Sequence, residues 1–197
     1  MRLVLASRSP RRAALLSQVG YVFQVEPPDI DETRFPDEEP VKYVERIARA
    51  KAEAVTGEEK VAIAGDTAVV HEGHVLGKPG HPEEARAMLR RIQGGHHEVL
   101  TGLAVAGSVD GKLVVRSLVD MTTVRMASMT ESEIVDYVST GEPLDKAGGY
   151  GIGGLGGRFI EAVVGSPATV AGLPIHLVHR LLSAFGVELS RSILPGH

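Results

Sequence analysis

Leu3-Val4-Leu5-Ala6-Ser7-Arg8-Ser9-Pro10-Arg11-Arg12 decides the class of fold. Four apolar residues in a row read as a short buried strand over residues 3–6. Ser7 to Ser9 turn the chain, and Pro10 suits the first turn of a helix, where its missing N–H removes no hydrogen bond. That helix runs to about residue 19 and stops at Gly20. A strand feeding straight into a helix is the building unit of an α/β fold, and the alternation continues downstream.

Residues 21–25 read as a second strand, and residues 26–39, with three prolines and many acids, as a loop. A helix over residues 41–55 ends at Gly57, and a buried strand over residues 61–64 ends at Gly65-Asp66. Residues 68–70 and 75–76 flank His71-Glu72-Gly73-His74, a hairpin signal. Residues 82–93 form an amphipathic helix with Ala85, Leu89 and Ile92 inward. Strands over residues 98–106 and 113–126 meet through Asp110-Gly111. Thr130 with Glu133 makes a capping box for a helix to about residue 139. Residues 141–157 contain eight glycines and read as a flexible lid or one irregular loop. A strand over 159–164 and a helix over 174–185 close the chain. The pattern predicts an α/β fold with a mixed sheet. The length suits a single domain over residues 1–197, with room for two lobes.

Composition narrows the class. The chain is 43% hydrophobic and 23% charged, ordinary for a globular protein with a real core. Net charge is −4, so no global basic field attracts nucleic acid, and none is expected as a partner. The Arg11-Arg12 pair is therefore not background. There are no cysteines, which excludes disulfides and thiolate zinc sites and fits a reducing cytoplasm. No apolar run approaches the roughly 20 residues of a membrane span. The opening Met-Arg-Leu-Val-Leu-Ala enters a strand at once and lacks a signal peptide's hydrophobic length. A cytoplasmic protein with no membrane partner is the expectation.

Three chemical signals stand out. A strand-to-helix turn presents backbone N–H groups and a helix dipole to an anion. Ser7 and Ser9 add hydroxyls there, and Arg11 and Arg12 add charge. The bland alternative is an N-cap beside solvated arginines, but adjacent cations in a first turn oppose the dipole. Lys51 falls on the stripe of Val44, Ile47, Ala48 and Val55, so its ammonium is either buried and paired or snorkels to the surface. Asp66 sits amid apolar sequence, where a carboxylate must be paired, metal-bound or catalytic, unless it caps a turn. Lys78, beside Pro79, is within reach of the same region or lies on the surface. Asp29, Asp31 and Glu32 form an acidic cluster that either holds Mg²⁺ together with Asp66 or is a solvated loop. His96-His97 is unconvincing as a metal site, because adjacent strand residues point to opposite faces.

In this order the motifs resemble the Maf family of nucleotide pyrophosphatases. The match runs through residues 5–12, Asp29-Ile30-Asp31-Glu32, Ala48-Arg49-Ala50-Lys51-Ala52, Gly65-Asp66-Thr67, Gly77-Lys78-Pro79, Gly94-Gly95-His96 and residues 145–152. The resemblance implies a fold like that of the house-cleaning inosine triphosphate pyrophosphatases, an elongated mixed β-sheet flanked by helices, with two lobes around a central cleft. It also implies hydrolysis of a nucleoside triphosphate between the α and β phosphates, giving the monophosphate and pyrophosphate. Carried over, Asp66 is the proton acceptor for water, and Glu32 with Asp66 holds a divalent metal cation, Mg²⁺ or Mn²⁺. Lys51 and Lys78 join Ser7, Ser9 and Arg12 in holding the phosphates. A nucleoside triphosphate is the implied partner, and the family leaves a homodimer open.

Arg11 and Thr67 match positions tied to substrate choice in the dTTP/UTP branch, and Tyr150-Gly151-Ile152 resembles that branch more than the 7-methyl-GTP branch. The branch places Gln after this Ile; here Gly153 stands instead, which removes an amide able to meet a base edge or orient a water. Residues 165–170 also depart from the usual tail motif. Two other readings compete: a sugar-phosphate phosphatase or nucleotidyltransferase, and a nucleotide-binding regulator of septum formation with little turnover.

Overall fold

The computed structural model describes residues 1–188. Seven strands form one mixed sheet: β1 (Arg2–Leu5), β2 (Gln24–Val25), β3 (Lys60–His71), β4 (His74–Leu76), β5 (His96–Val109), β6 (Lys112–Met126) and β7 (Ile160–Val164). The order is β2-β1-β3-β5-β6-β7, with β4 paired to β3 off this path. β1 runs parallel to both β2 and β3, whereas β3–β4 and β6–β7 are antiparallel. The helices are α1 (Pro10–Gln18), α2 (Pro40–Val55), α3 (Pro82–Ile92), α4 (Glu131–Ser139), α5 (Pro167–Val170) and α6 (Ile175–Ser183). The expected α/β class with a mixed sheet flanked by helices is what the chain adopts.

The chain divides into two compact units. One comprises Met1–Asp66, Thr101–Asp120 and the chain from Gly172; the other comprises Thr67–Leu100 and Met121–Ala171. Among the described residues no helix is long and apolar enough to cross a membrane.

Three expectations change. β3 does not stop at Asp66 but runs on to His71, joining the expected strand and the first arm of the hairpin into twelve residues. No Gly-Pro or Asn-Gly breaker follows Asp66, and Ala68, Val69 and Val70 are buried, so burial carries the strand on. The turn comes only at Glu72-Gly73, both with positive φ (49° and 75°), the geometry of a tight hairpin. β2 is shorter than expected, two residues in place of five. The glycine-rich segment is a series of ordered tight turns, 3₁₀ at Glu142–Asp145, Ala147–Gly149 and Leu155–Phe159.

Those turns show why glycine is dense there. The Glu142 carboxylate accepts hydrogen bonds from the Leu155 and Gly156 amides at 2.8 and 3.0 Å and from the Tyr137 hydroxyl at 2.9 Å. The segment is wound so closely that a Cβ on Gly156 would stand 2.3 Å from the Tyr137 hydroxyl oxygen. Gly148 has φ of +70° and would meet Val69 at 2.9 Å.

In the first unit, β1, β3 and β5 present a layer of small side chains. Ala6, Ala62, Ala64, Ala104 and Ala106 pack with Ala48 and Ala52 of α2. Gly102 lies under α2, where a Cβ would come 2.3 Å from the Val44 carbonyl oxygen and 2.6 Å from its carbon. The helix backbone thus rests almost on the sheet, and the residues on its inward face are delivered to β3. A second, larger-residue core of Leu5, Leu16, Ile63, Leu103, Leu173 and Leu182 holds α1 and α6.

Gly102→Ala must push α2 off the sheet, at a cost of about 1–3 kcal/mol from overpacking. Gly77→Ala, with nothing within 4 Å of the new Cβ, serves as control and should stay within about 0.5 kcal/mol. Urea unfolding of both variants checks the difference; equal stability would refute the close approach of α2.

Candidate functional site

Lys51 lies in the last third of α2, on the face formed by Val44, Ile47, Ala48 and Ala52. It is buried, with 7% of its surface exposed, and so is Asp66 on β3, also at 7%. Of the two sequence readings, buried-and-paired is the correct one. The Lys51 Nζ donates to Asp66 Oδ1 at 2.8 Å and to Glu32 Oε2 at 2.7 Å. One ammonium therefore ties a helix, a central strand and a loop together. Glu32 stays half open to solvent, its side chain 53% exposed.

The β1–α1 turn completes this cluster. Ser7 is buried, and its hydroxyl accepts from the Ser9 amide at 3.1 Å and from Arg12 Nη1 at 3.3 Å. Ser9 caps α1, its hydroxyl accepting from the Arg12 amide. Ser9 is thus an N-cap, as the bland reading had it, but the arginine beside it is not a solvated bystander. Arg12 Nε donates to the Gly172 carbonyl at 2.8 Å, which holds the guanidinium over the end of the turn. Burial lowers its pKa, opposed by the charges of Asp66 and Glu32. This explains how Arg12 stands in a first turn against the helix dipole: carboxylates from other elements supply the counter-field.

Asp66 carries opposing influences. Burial raises its pKa above the ordinary carboxylate value; Lys51 and Arg12 pull it down, and Glu32 pushes it up again. Arg11 lies close enough to Arg12 to add repulsion there. Thr67 follows Asp66 on β3 and is half-buried; Lys78 is exposed beyond β4, and Gly153 is exposed with open space around its Cα. These three belong to the second compact unit, so the set brought together in the first unit is Ser7, Ser9, Arg12, Glu32, Lys51 and Asp66.

Among the described residues no three His, Asp or Glu side chains converge as a metal cage. His97 is buried and its Nε2 lies 2.7 Å from the Tyr150 hydroxyl; burial lowers its pKa to about 4, so it is a neutral core histidine. Asp29 and Asp31 are exposed, and Asp31 caps the Thr33 amide at 2.8 Å. Glu32 alone of the acidic cluster reaches Lys51.

Two supporting residues were not picked out in the sequence. Tyr43, two turns before Lys51, donates its hydroxyl to the Glu32 carbonyl at 3.2 Å, and burial with the nearby carboxylates raises its pKa to about 12. The spacing of Tyr43, Ile47 and Lys51, four residues apart on one helix face, was a readable signal. Arg46, which ties the loop of Glu32 to α2, gave no short-range signal.

The family model described as Maf-like protein matches residues 2–185. The chain belongs to the Maf family. A relative from Anaeromyxobacter dehalogenans (strain 2CP-C), named dTTP/UTP pyrophosphatase, is 50% identical over 188 residues, covering 95% of this chain and 96% of the relative. Relatives of the same name from Methylobacillus flagellatus and Vibrio cholerae are 47% and 44% identical, covering 95% and 93% of this chain and 94% and 98% of their own. The acidic loop, the helix lysine and the Gly-Asp-Thr stretch, distant in sequence, meet at one ammonium through Glu32 and Asp66, and Arg12 of the opening lies within electrostatic reach of both carboxylates.

Lys51→Ala leaves Asp66 buried without its ammonium, and the fold should lose about 3–5 kcal/mol at neutral pH. A carboxyl whose folded pKa is raised stabilises most below its unfolded pKa, and that contribution is lost as pH rises through the folded value. Removing Lys51 raises the Asp66 value further. The deficit of Lys51→Ala relative to the unsubstituted chain should therefore widen as pH rises from about 5 to about 8. Urea unfolding across that range checks it, and a deficit independent of pH would refute the pairing.

Proposed function

We propose that the protein hydrolyses nucleoside triphosphates to the monophosphate and pyrophosphate, with the cluster around Lys51 as its catalytic centre. The observation that carries the reading is the single buried ammonium bridging Asp66 and Glu32 within a chain of 44–50% identity to proteins named dTTP/UTP pyrophosphatase. On this reading Asp66 takes a proton from the attacking water. Its burial makes it a stronger base than a solvated carboxylate while Lys51 keeps it ionised, the compromise general-base catalysis requires. Lys51, Arg12 and the hydroxyls of Ser7 and Ser9 hold phosphate oxygens and offset the charge that develops as the anhydride breaks. Lys78, Arg11 and Thr67 are assigned to phosphate holding and base choice.

Glu32 and Asp66 fit a divalent cation. Mg²⁺ or Mn²⁺ takes oxygen ligands, commonly one or two carboxylates together with substrate phosphates, and needs no all-protein cage. Such an ion would supply a Lewis acid for the phosphates. The continuous family match over residues 2–185 supports reading both compact units as one domain.

The test is pyrophosphate release from the purified protein with Mg²⁺ or Mn²⁺, over dTTP, UTP, CTP, 7-methyl-GTP, ITP and the common purine triphosphates. Release is expected, and Asp66→Asn should lower it by roughly a hundredfold or more. Nucleotide binding with no release would instead identify a nucleotide-binding regulator, and release of orthophosphate a phosphatase. A Cβ added at Gly153 has nothing within 4 Å, so Gly153→Gln starts from open space. Restoring the amide should raise the preference for dTTP and UTP by up to about tenfold, the order of one neutral hydrogen bond. An unchanged preference would show that position 153 does not read the base.

A further inference from the structure

Glu32 reaches Lys51 from a stretch with no helix or strand of its own, residues 26–39. Something must hold such a loop, because a half-exposed glutamate on a free chain has many rotamers and no reason to settle on one ammonium. Arg46 supplies the restraint. It sits on α2, five residues before Lys51, so the helix that carries the ammonium also carries the clamp. Its guanidinium makes a fork to Glu38, Nε to Oε1 at 2.7 Å and Nη2 to Oε2 at 2.8 Å. The same Nη2 donates to the Thr33 carbonyl at 3.0 Å, one residue beyond Glu32. The guanidinium also lies 4.0 Å from the centre of the Phe35 ring, a cation–π contact with an aromatic side chain that stays largely exposed.

Glu38 passes the restraint along the loop. Its carboxylate accepts from the Phe35 amide at 3.1 Å, and its carbonyl from Arg34 Nε at 3.0 Å. It is largely buried, its side chain 10% exposed, and the Arg46 pairing lowers its pKa. Arg46 Nε and Nη2 are thus engaged within the loop, and no bond joins Arg46 to Asp66 or Lys51 among the hydrogen bonds described. It is a positioning residue, distinct from the groups around the ammonium.

We infer that Arg46, clamped to Glu38, Thr33 and Phe35, fixes the loop that delivers Glu32 to Lys51, and so sets the turnover of the site without touching the substrate. This rests on the pyrophosphatase reading. Lysine cannot replace arginine here, since a point charge cannot make the fork and the carbonyl bond in one plane.

The experiment is a double-mutant cycle with a separate structural readout. Arg46→Gln should lower kcat by roughly ten- to a hundredfold with a much smaller change in KM, the scale of a misplaced catalytic group. Arg46→Lys should restore little of it, and Glu38→Gln, which breaks the clamp from its other end, should lower kcat in the same way. In a Glu32→Gln background the Arg46→Gln loss should shrink to about twofold or less, because the clamp has nothing left to position. Independently of activity, trypsin should cut after Arg34 several-fold faster in Arg46→Gln and Glu38→Gln, while the thermal midpoint shows the fold intact. Losses that multiply in the double variant, full rescue by lysine, or unchanged cleavage after Arg34 would each overturn the clamp. Absence of pyrophosphate release from the unsubstituted protein, with cleavage still accelerated in the variants, would overturn the pyrophosphatase reading and leave the clamp as a structural feature only.

Discussion

One buried ammonium organises this molecule. Lys51 has been taken out of water on the inner face of a helix, which is tolerable only because two carboxylates meet it at hydrogen-bond distance. That requirement constrains the rest. The helix must approach β3 closely, so the sheet beneath it is lined with alanine and carries Gly102 where the backbones touch. Asp66 meets the helix from the middle of β3, which burial of Ala68, Val69 and Val70 carries on beyond it. The acidic loop must fold back over the helix, so Arg46 and Tyr43 tie it down.

The charges at the centre nearly cancel. Lys51 and Arg12 face Asp66 and Glu32: burial raises the pKa of Asp66 and lowers that of Arg12, and the opposite charges restrain both shifts. A cluster of this kind is stable when closed on itself, yet a polyanion competes directly for its cations. Anchoring one partner on a buried strand and the other on an exposed loop makes the two carboxylates unequal.

The second compact unit solves a different problem, order within a glycine-rich chain. Glu142 gathers two amides and a tyrosine hydroxyl, and the uncharged His97 meets Tyr150, so the Lys-Ala-Gly-Gly-Tyr-Gly run is wound rather than loose. Glycine serves there chiefly to leave room for neighbours. Composition cannot distinguish that use from flexibility, and so the segment read as either a lid or one irregular loop.

The sequence by itself determined the α/β class, nearly every helix, the capping box at Thr130 and Glu133, and the identity of Ser7, Arg12, Lys51 and Asp66 as residues needing an explanation. Those are local matters: periodicity, turn chemistry, and the mismatch of a charge with an apolar stripe. Only the tertiary structure decided that β3 continues through Asp66, that Glu32 rather than Asp29 or Asp31 completes the cluster, that Arg12 belongs to it through Gly172, and that Arg46 secures the loop. Each depends on contacts between residues remote in the chain. Burial and charge pairing act through space, and spacing along the sequence does not record which carboxylate will arrive beside which ammonium.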